Sequence, residues 1–144
     1  MILVDANLLI YAVHSNSPHH VAARHWLEET LSGTAHVGLP WIVALAFLRI
    51  TTRGAIVEKP LTPERAIAYV DSWLDLPRVD LIAPGDGHWP ILRNLLRTTG
   101  MAGNLTSDAH VAALALEHGA AVYSADHDFG RFPGIEHVDP LSDG

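Results

Sequence analysis

Four aspartates stand where apolar stretches of the chain end or begin. Asp5 separates Ile2-Leu3-Val4 from Leu8-Leu9-Ile10, Asp126 and Asp128 follow the run Ala121-Val122-Tyr123, and Asp108 opens the alanine-rich segment that leads into that run. A carboxylate entering an apolar interior is costly unless it is paired or bound to a cation. Three or four of them within a few ångströms would repel one another, and a hard divalent ion is what makes such a cluster tolerable. Oxygen-only donors favour magnesium or manganese. The chain has no cysteine, so thiol chemistry is excluded and a zinc site would have to be built from histidines and carboxylates. A carboxylate-held ion can polarise a phosphoryl oxygen, generate hydroxide from water and orient an in-line attack, with a second ion entering alongside substrate. Asn7, Thr106 and Ser107 lie near enough in sequence to hydrogen-bond these carboxylates or their waters.

The acids meet only if the secondary structure brings them together. Ile2-Leu3-Val4 predicts a buried strand, and the following NLLIYAVH a short helix ending near His14. Ser17 and Pro18 read as the N-cap and first position of a second helix that Gly33 stops. HVGL is a short extended segment, and Pro40 opens WIVALAFLRITTR, read as helix from its length. Thr62, Pro63 and Glu64 start another helix, striped by Ile67, Val70 and Leu74 and ended by Pro77. VDLIAP reads as strand, Asp86 as the cap of a helix closing at Gly100, MAGN as a loop and SDAHVAALALEHG as a helix ending at Gly119. AAVYS is a further strand, ADHDFGRFPG a turn-rich loop and IEHVDP a last short strand.

Strands alternating with helices argue for one α/β domain, a parallel sheet covered by helices on both faces. In such sheets ligands bind outside the carboxyl ends of the strands. Asp5 and Asp126 share that rim if their strands are parallel neighbours, and Asp108 joins them if its helix begins above it.

The 144 residues suffice for one domain with a real core. With 49% hydrophobic and 17% charged residues the chain is neither disordered nor low in complexity. The formal net charge of -7 excludes a general basic coating, so contact with nucleic acid needs a local device, which a bound cation supplies. No positive n-region precedes the first apolar run, and no apolar stretch is long enough to span a bilayer. A soluble, cytoplasmic domain without membrane partners is the expectation.

VDANLLIYA, LPWIVALAFLR, NLTSDAHVAALALEHG and VYSADHDFGRF, in this order, resemble the PIN-domain ribonucleases. More closely they resemble the VapC toxins of bacterial toxin–antitoxin pairs, of the mycobacterial type, over essentially the whole of 1–144. The resemblance implies a three-layer α/β/α sandwich around a mainly parallel sheet and Mg2+- or Mn2+-dependent cleavage of RNA. It also implies a homodimer and neutralisation by a cognate VapB antitoxin. Residue by residue, Asp5 matches the first family acid, Asp108 the third and Asp126 the fourth, with Asp128 a neighbour able to support Asp126. Arg49 matches a family arginine that contacts phosphate or orients an acid. Many members carry a glutamate where this chain has Ala46, which leaves one ligand position to water, to Asp128 or to nothing. The alternative is therefore a cutting-impaired module that still binds antitoxin or RNA.

Blander readings stand beside these. Asp5 can cap the helix that follows it, Asp108 can favour its helix dipole, and Asp126 and Asp128 can be turn formers. His19, His20 and His25 read as surface residues. Ser124, Asp126 and His127 hold the residue types of a hydrolase triad but are crowded into one loop. An aspartyl phosphohydrolase built on Asp5 lacks its usual second acid, Asn7 standing there, and the only lysine is Lys59. The four tryptophans read as core by default, with Trp41 and Phe47 the most apt to reach a partner, and Arg49, Arg53 and Lys59 form a basic region able to steer an RNA backbone.

Overall fold

The computed structural model describes residues 1–54, 57–100 and 103–142, apart from the side chain of Asn104. The chain enters as β1 (Ile2–Val4) and turns at Asp5 into α1 (Ala6–Val13), followed by α2 (His20–Ser32), β2 (Val37–Pro40) and α3 (Trp41–Thr51). Then come α4 (Pro63–Leu74), β3 (Val79–Ile82), α5 (His88–Thr99), α6 (Thr106–His118), β4 (Ala121–Tyr123) and β5 (Glu136–Val138). A 3-10 turn at Gly103–Leu105 precedes α6, and a second, His127–Arg131, lies between β4 and β5.

All strand pairs are parallel, in the order β3-β2-β1-β4-β5. From β1 the chain steps outward through β2 to β3, then crosses back to lay β4 on the other side of β1. Right-handed crossovers therefore place α1 to α4 on one face and α5 with α6 on the other. The packing agrees: α1 meets α2 and α3, α3 meets α4, and α5 meets α6. This is the three-layer α/β/α sandwich of the expectation. The direction of winding reverses between β1 and β4, and their carboxyl ends open the crevice where such sheets bind ligands.

Leu3, Val4 and Val122 in the central strands are fully buried, as are Leu8, Phe47, Leu114 and Phe129 around them. Burying side chains of this size contributes about 1.5–3 kcal/mol each. Gly38 in β2 is required by close approach, since a Cβ there would lie 2.7 Å from Ile82 Cγ1. On α6, Ala109 and Val111 to Ala115 are all buried, because this helix is enclosed between the sheet and α5. Thr62 caps α4 by accepting from the Arg65 N–H, and Gly100 and Gly119 end α5 and α6 at φ 64° and 61°. Those positive values suit a residue without Cβ.

Several expectations shift. The second helix starts at His20 rather than Pro18, because the Ser17 Oγ accepts from His19 N and holds a separate turn. Gly87, not Asp86, is the N-cap of α5, and no side chain caps that end. The expected helix at Ser107 begins one residue earlier. In the expected MAGN loop, Met101 and Ala102 lie outside the described residues, while Gly103 and Asn104 belong to the 3-10 turn. Trp73 is core, whereas Trp41 and Trp89 are exposed; Phe47 is fully buried against Trp73 and reaches no surface. No helix among the described residues is long and apolar enough to cross a membrane.

Candidate metal centre

Asp5 sits on the last rung between β1 and β4, where its N–H donates to the Tyr123 carbonyl at 2.9 Å. Its Oδ1 then accepts from the Ala6 N–H at 2.8 Å and starts α1. The Oδ2 accepts from Ser124 Oγ at 2.7 Å and from Asn7 Nδ2 at 3.4 Å. Capping and site placement thus coexist in one side chain. Ser124 is fully buried, and its hydroxyl is saturated: it donates to Asp5 and accepts from Asn7 Nδ2 at 3.2 Å and from Asp126 N at 2.9 Å. The Asn7 Oδ1 accepts from Ala125 N at 3.3 Å, and a His137 ring nitrogen lies 2.9 Å from the Ser124 carbonyl. These bonds fix the loop after β4 to the start of α1. Asp126 Oδ1 accepts from Asp128 N at 2.9 Å and opens the 3-10 turn, and Arg131 pairs with Asp128 at 3.3 Å.

A helix leading into a parallel strand begins over the carboxyl rim, which is where α6 sets Asp108. Carboxylate oxygens of Asp108, Asp126 and Asp128 lie within 4.8 Å of one another. Asp5 stands beside this trio rather than within it. Burial, followed by the negative charges of Asp126 and Asp5, pushes the Asp108 carboxyl up to about 7, where its proton can bridge to Asp126. Burial also raises Asp5, and Asp126 adds to that, while the Ser124 and Ala6 hydrogen bonds and His137 pull the other way. Like charges gathered in a half-dry site are held there at a cost that a divalent cation removes, and the donors are all oxygen.

A cleft of about 570 Å³ opens beside the acids, lined by Asp5, Ser107, Asp108, Val111, Ala46 and Arg49 among others. Arg49 makes no ion pair among the described residues and is exposed to whatever enters. Ala46 faces the same cleft as Asp5 and Asp108. Neither the Thr106 nor the Ser107 hydroxyl bonds an acid among the described residues. The residue that sequence reasoning missed is Ser124, weighed only as a triad nucleophile. His127 is 78% exposed in its side chain and pairs with Asp139, so no such triad forms. The signal was available: a serine ending a buried strand two residues before an acid is placed to accept that acid's N–H.

A family model described as PIN domain matches residues 2–135. "Ribonuclease VapC37" of Mycobacterium tuberculosis is 44% identical over 97% of this chain and 97% of its own length. "Ribonuclease VapC33" of the same species is 41% identical over 98% of this chain and 99% of its own. Among solved structures, DNA-bound VapBC from Salmonella typhimurium superposes with a TM-score of 0.64 at 25% identity, covering 96% of this chain and 97% of that one. With its switch-point acids, its parallel sheet and these relatives, the chain belongs to the PIN-domain family, in its VapC branch.

Proposed function

We propose that this protein is an endoribonuclease toxin of a VapBC pair that hydrolyses RNA phosphodiester bonds with a magnesium or manganese ion. The observation that carries the reading is the convergence of Asp108, Asp126 and Asp128 beside Asp5 at the β1/β4 switch point. Asp108, Asp126 and Asp128 would hold the ion, with Asp5 completing the negative wall. A bound divalent ion there supplies a polarised phosphoryl oxygen and a water of lowered pKa. The chain's own groups do the rest. Ser124 and Asn7 fix the direction of the Asp5 carboxylate, Arg131 tethers Asp128, and Arg49 is placed to meet a phosphate at the open side of the cleft. The cleft is of the size that takes a nucleotide-sized ligand.

The relatives' ribonuclease names and the gathering of Asp108, Asp126 and Asp128 beside Asp5 favour this over the cutting-impaired alternative, although Ala46 leaves one family acid unfilled. A VapB-type antitoxin is the partner we infer from the VapBC neighbour, with action in the cytoplasm by the whole chain as one PIN domain. Exposed Trp41 and Leu45 on α3 offer an apolar patch to a second copy, in keeping with a homodimer. The test compares RNA cleavage by the native protein and by Asp5→Asn with manganese present. Asn keeps an oxygen for the Ala6 N–H but loses the Oδ2 acceptor for Ser124 and Asn7, so the melting curve of the variant is recorded beside its rate. Even partners that only orient metal ligands cost about 10–100-fold when removed, so a loss of at least about 100-fold is expected. Equal rates would remove Asp5 from the chemistry.

A further inference from the structure

A second polar pocket lies at the carboxyl ends of α1 and α3, the two helices that border the acidic cleft. Ala6 of α1 and Arg49 of α3 line the cleft; His14, just past α1, and Thr51, the last residue of α3, line a separate pocket of about 180 Å³. Lys59, from the connection into α4, and Arg65, in the first turn of α4, complete it. The side chains of His14, Lys59 and Arg65 make no ion pair among the described residues. Glu58, the acid next to Lys59, is instead engaged by Asn16 Nδ2 at 3.0 Å. Glu64, in the first turn of α4, is exposed.

Two physical arguments identify what fits. First, the volume falls below the roughly 300 Å³ at which whole small-molecule sites begin, but it suits a phosphate group, for which the Lys59 and Arg65 cations beside the His14 ring are the complement. Second, the cations run in one stretch of the chain. Arg49, Arg53, Lys59 and Arg65 fall between positions 49 and 65, in a chain whose net charge is -7 and which has only nine Lys and Arg residues. This stretch reaches from Arg49 in the cleft to Lys59 and Arg65 in the pocket. Along α1, from Ala6 to His14, the two features lie about 12 Å apart, while along α3 they adjoin at Arg49 and Thr51. A mononucleotide in the cleft does not use such a stretch; a polymer with a charge on every unit does.

We propose that the pocket of His14, Lys59 and Arg65 binds a backbone phosphate of the same RNA strand whose scissile bond lies in the acidic cleft. This deepens the ribonuclease reading and rests on it. The pocket is the local device by which an acidic protein grips RNA away from its metal site, and it acts on position and affinity without reading sequence.

The experiment measures binding of a fluorescent single-stranded RNA, long enough to span both features, to the Asp5→Asn protein over a salt series. Lys59→Ala with Arg65→Ala is compared with Arg93→Ala with Arg97→Ala, an equal loss of charge on exposed positions of α5. The pocket pair is expected to weaken binding about tenfold and to lower the slope of log affinity against log salt by about 1.4. The α5 pair should leave both within about twofold. Equal effects of the two pairs, or none from the pocket pair, overturn the proposal. Cleavage of the same RNA by the native protein is followed in parallel. Its absence would count against the nuclease, whereas affinity in the disabled protein decides the pocket by itself.

Discussion

Two polar clusters sit on α6, one half-buried and one buried, and they are built on opposite principles. At its start, Asp108 gathers with Asp126 and Asp128, three acids against a single cation, the exposed Arg131 that pairs with Asp128. At its end, Glu117 meets His88 of α5 at 2.6 Å, accepts from Gly85 N at 3.1 Å, and through His88 is linked to His110 at 2.9 Å. The side chains of His88 and Glu117 are 9% and 11% exposed. This second cluster satisfies itself: acid, donors and imidazoles close a chain of hydrogen bonds joining α5 to α6. Burial and the neighbouring His88 hold the His110 imidazole below its ordinary range, against the pull of Glu117. Among the described residues no buried side-chain nitrogen or oxygen lacks a partner. What sets the acidic cluster apart is therefore not missing hydrogen bonds but too little positive charge for its acids. A self-satisfied network holds the fold together, and a network short of one charge sign awaits a ligand.

The largest test of that contrast removes the acid from the self-satisfied side. Glu117→Ala strands a buried imidazole and the Gly85 N–H, and breaking a buried pair of this kind costs about 3 kcal/mol. Urea unfolding of the metal-free protein should show that loss, while calorimetric manganese affinity stays near the native value. Lost manganese binding at unchanged stability would reverse the two roles.

The acidic side should behave in the opposite sense. In metal-free protein Asp108 keeps its proton up to about pH 7, whereas the unfolded chain releases it near 3.8. Between those values the native state binds more protons than the unfolded one, so stability falls as pH rises through the window. Asp5, raised in the same direction, adds to the fall. Melting temperatures in a chelating buffer from about pH 4 to about pH 7 should therefore decline. Asp108→Asn should flatten the decline and be the more stable protein at the upper end. Saturating manganese should flatten it in the native protein. A native profile that rises with pH would mean that the acids are not crowded.

The sequence exposed the acidic cluster more readily than the histidine one, for a physical reason. Acids that interrupt apolar strand ends are local anomalies, and one topological rule brings the strand ends together. Asp5 and Asp126 needed only β1 and β4 to be parallel neighbours. The Glu117–His88–His110 chain joins residues 22 and 29 apart on two helices, and no periodicity announces such a pairing. One hint was present: Glu117 is an acid at a helix carboxyl end, against the dipole, in an otherwise apolar run. Strand positions and the caps at Thr62, Gly100 and Gly119 were legible from single residues. The starts of α2 and α5 were not, because Ser17 and Asp86 are good caps by type that tertiary packing left outside the helices. Trp41, singled out as apt to reach a partner, is exposed as the first residue of α3, whereas Phe47, singled out with it, is fully buried.

The smallest effect expected is also the most discriminating. Ala46 lies in the cleft with Asp5 and Asp108, at the position where the family resemblance leads one to expect a glutamate. A carboxylate introduced there adds negative charge to a site that already has too much. Without metal, Ala46→Glu should lower the melting temperature; with metal, it should tighten manganese binding about tenfold, the equivalent of about 1.4 kcal/mol of added attraction. Opposite signs in the two states separate a charge effect from a packing one, because an overfilled cleft destabilises the protein whether or not the ion is bound. Unchanged affinity by calorimetry, with a lowered melting temperature in both states, would show that the side chain at this position points past the acids. The contrast between the two clusters on α6 would then rest on Asp108, Asp126 and Asp128 alone.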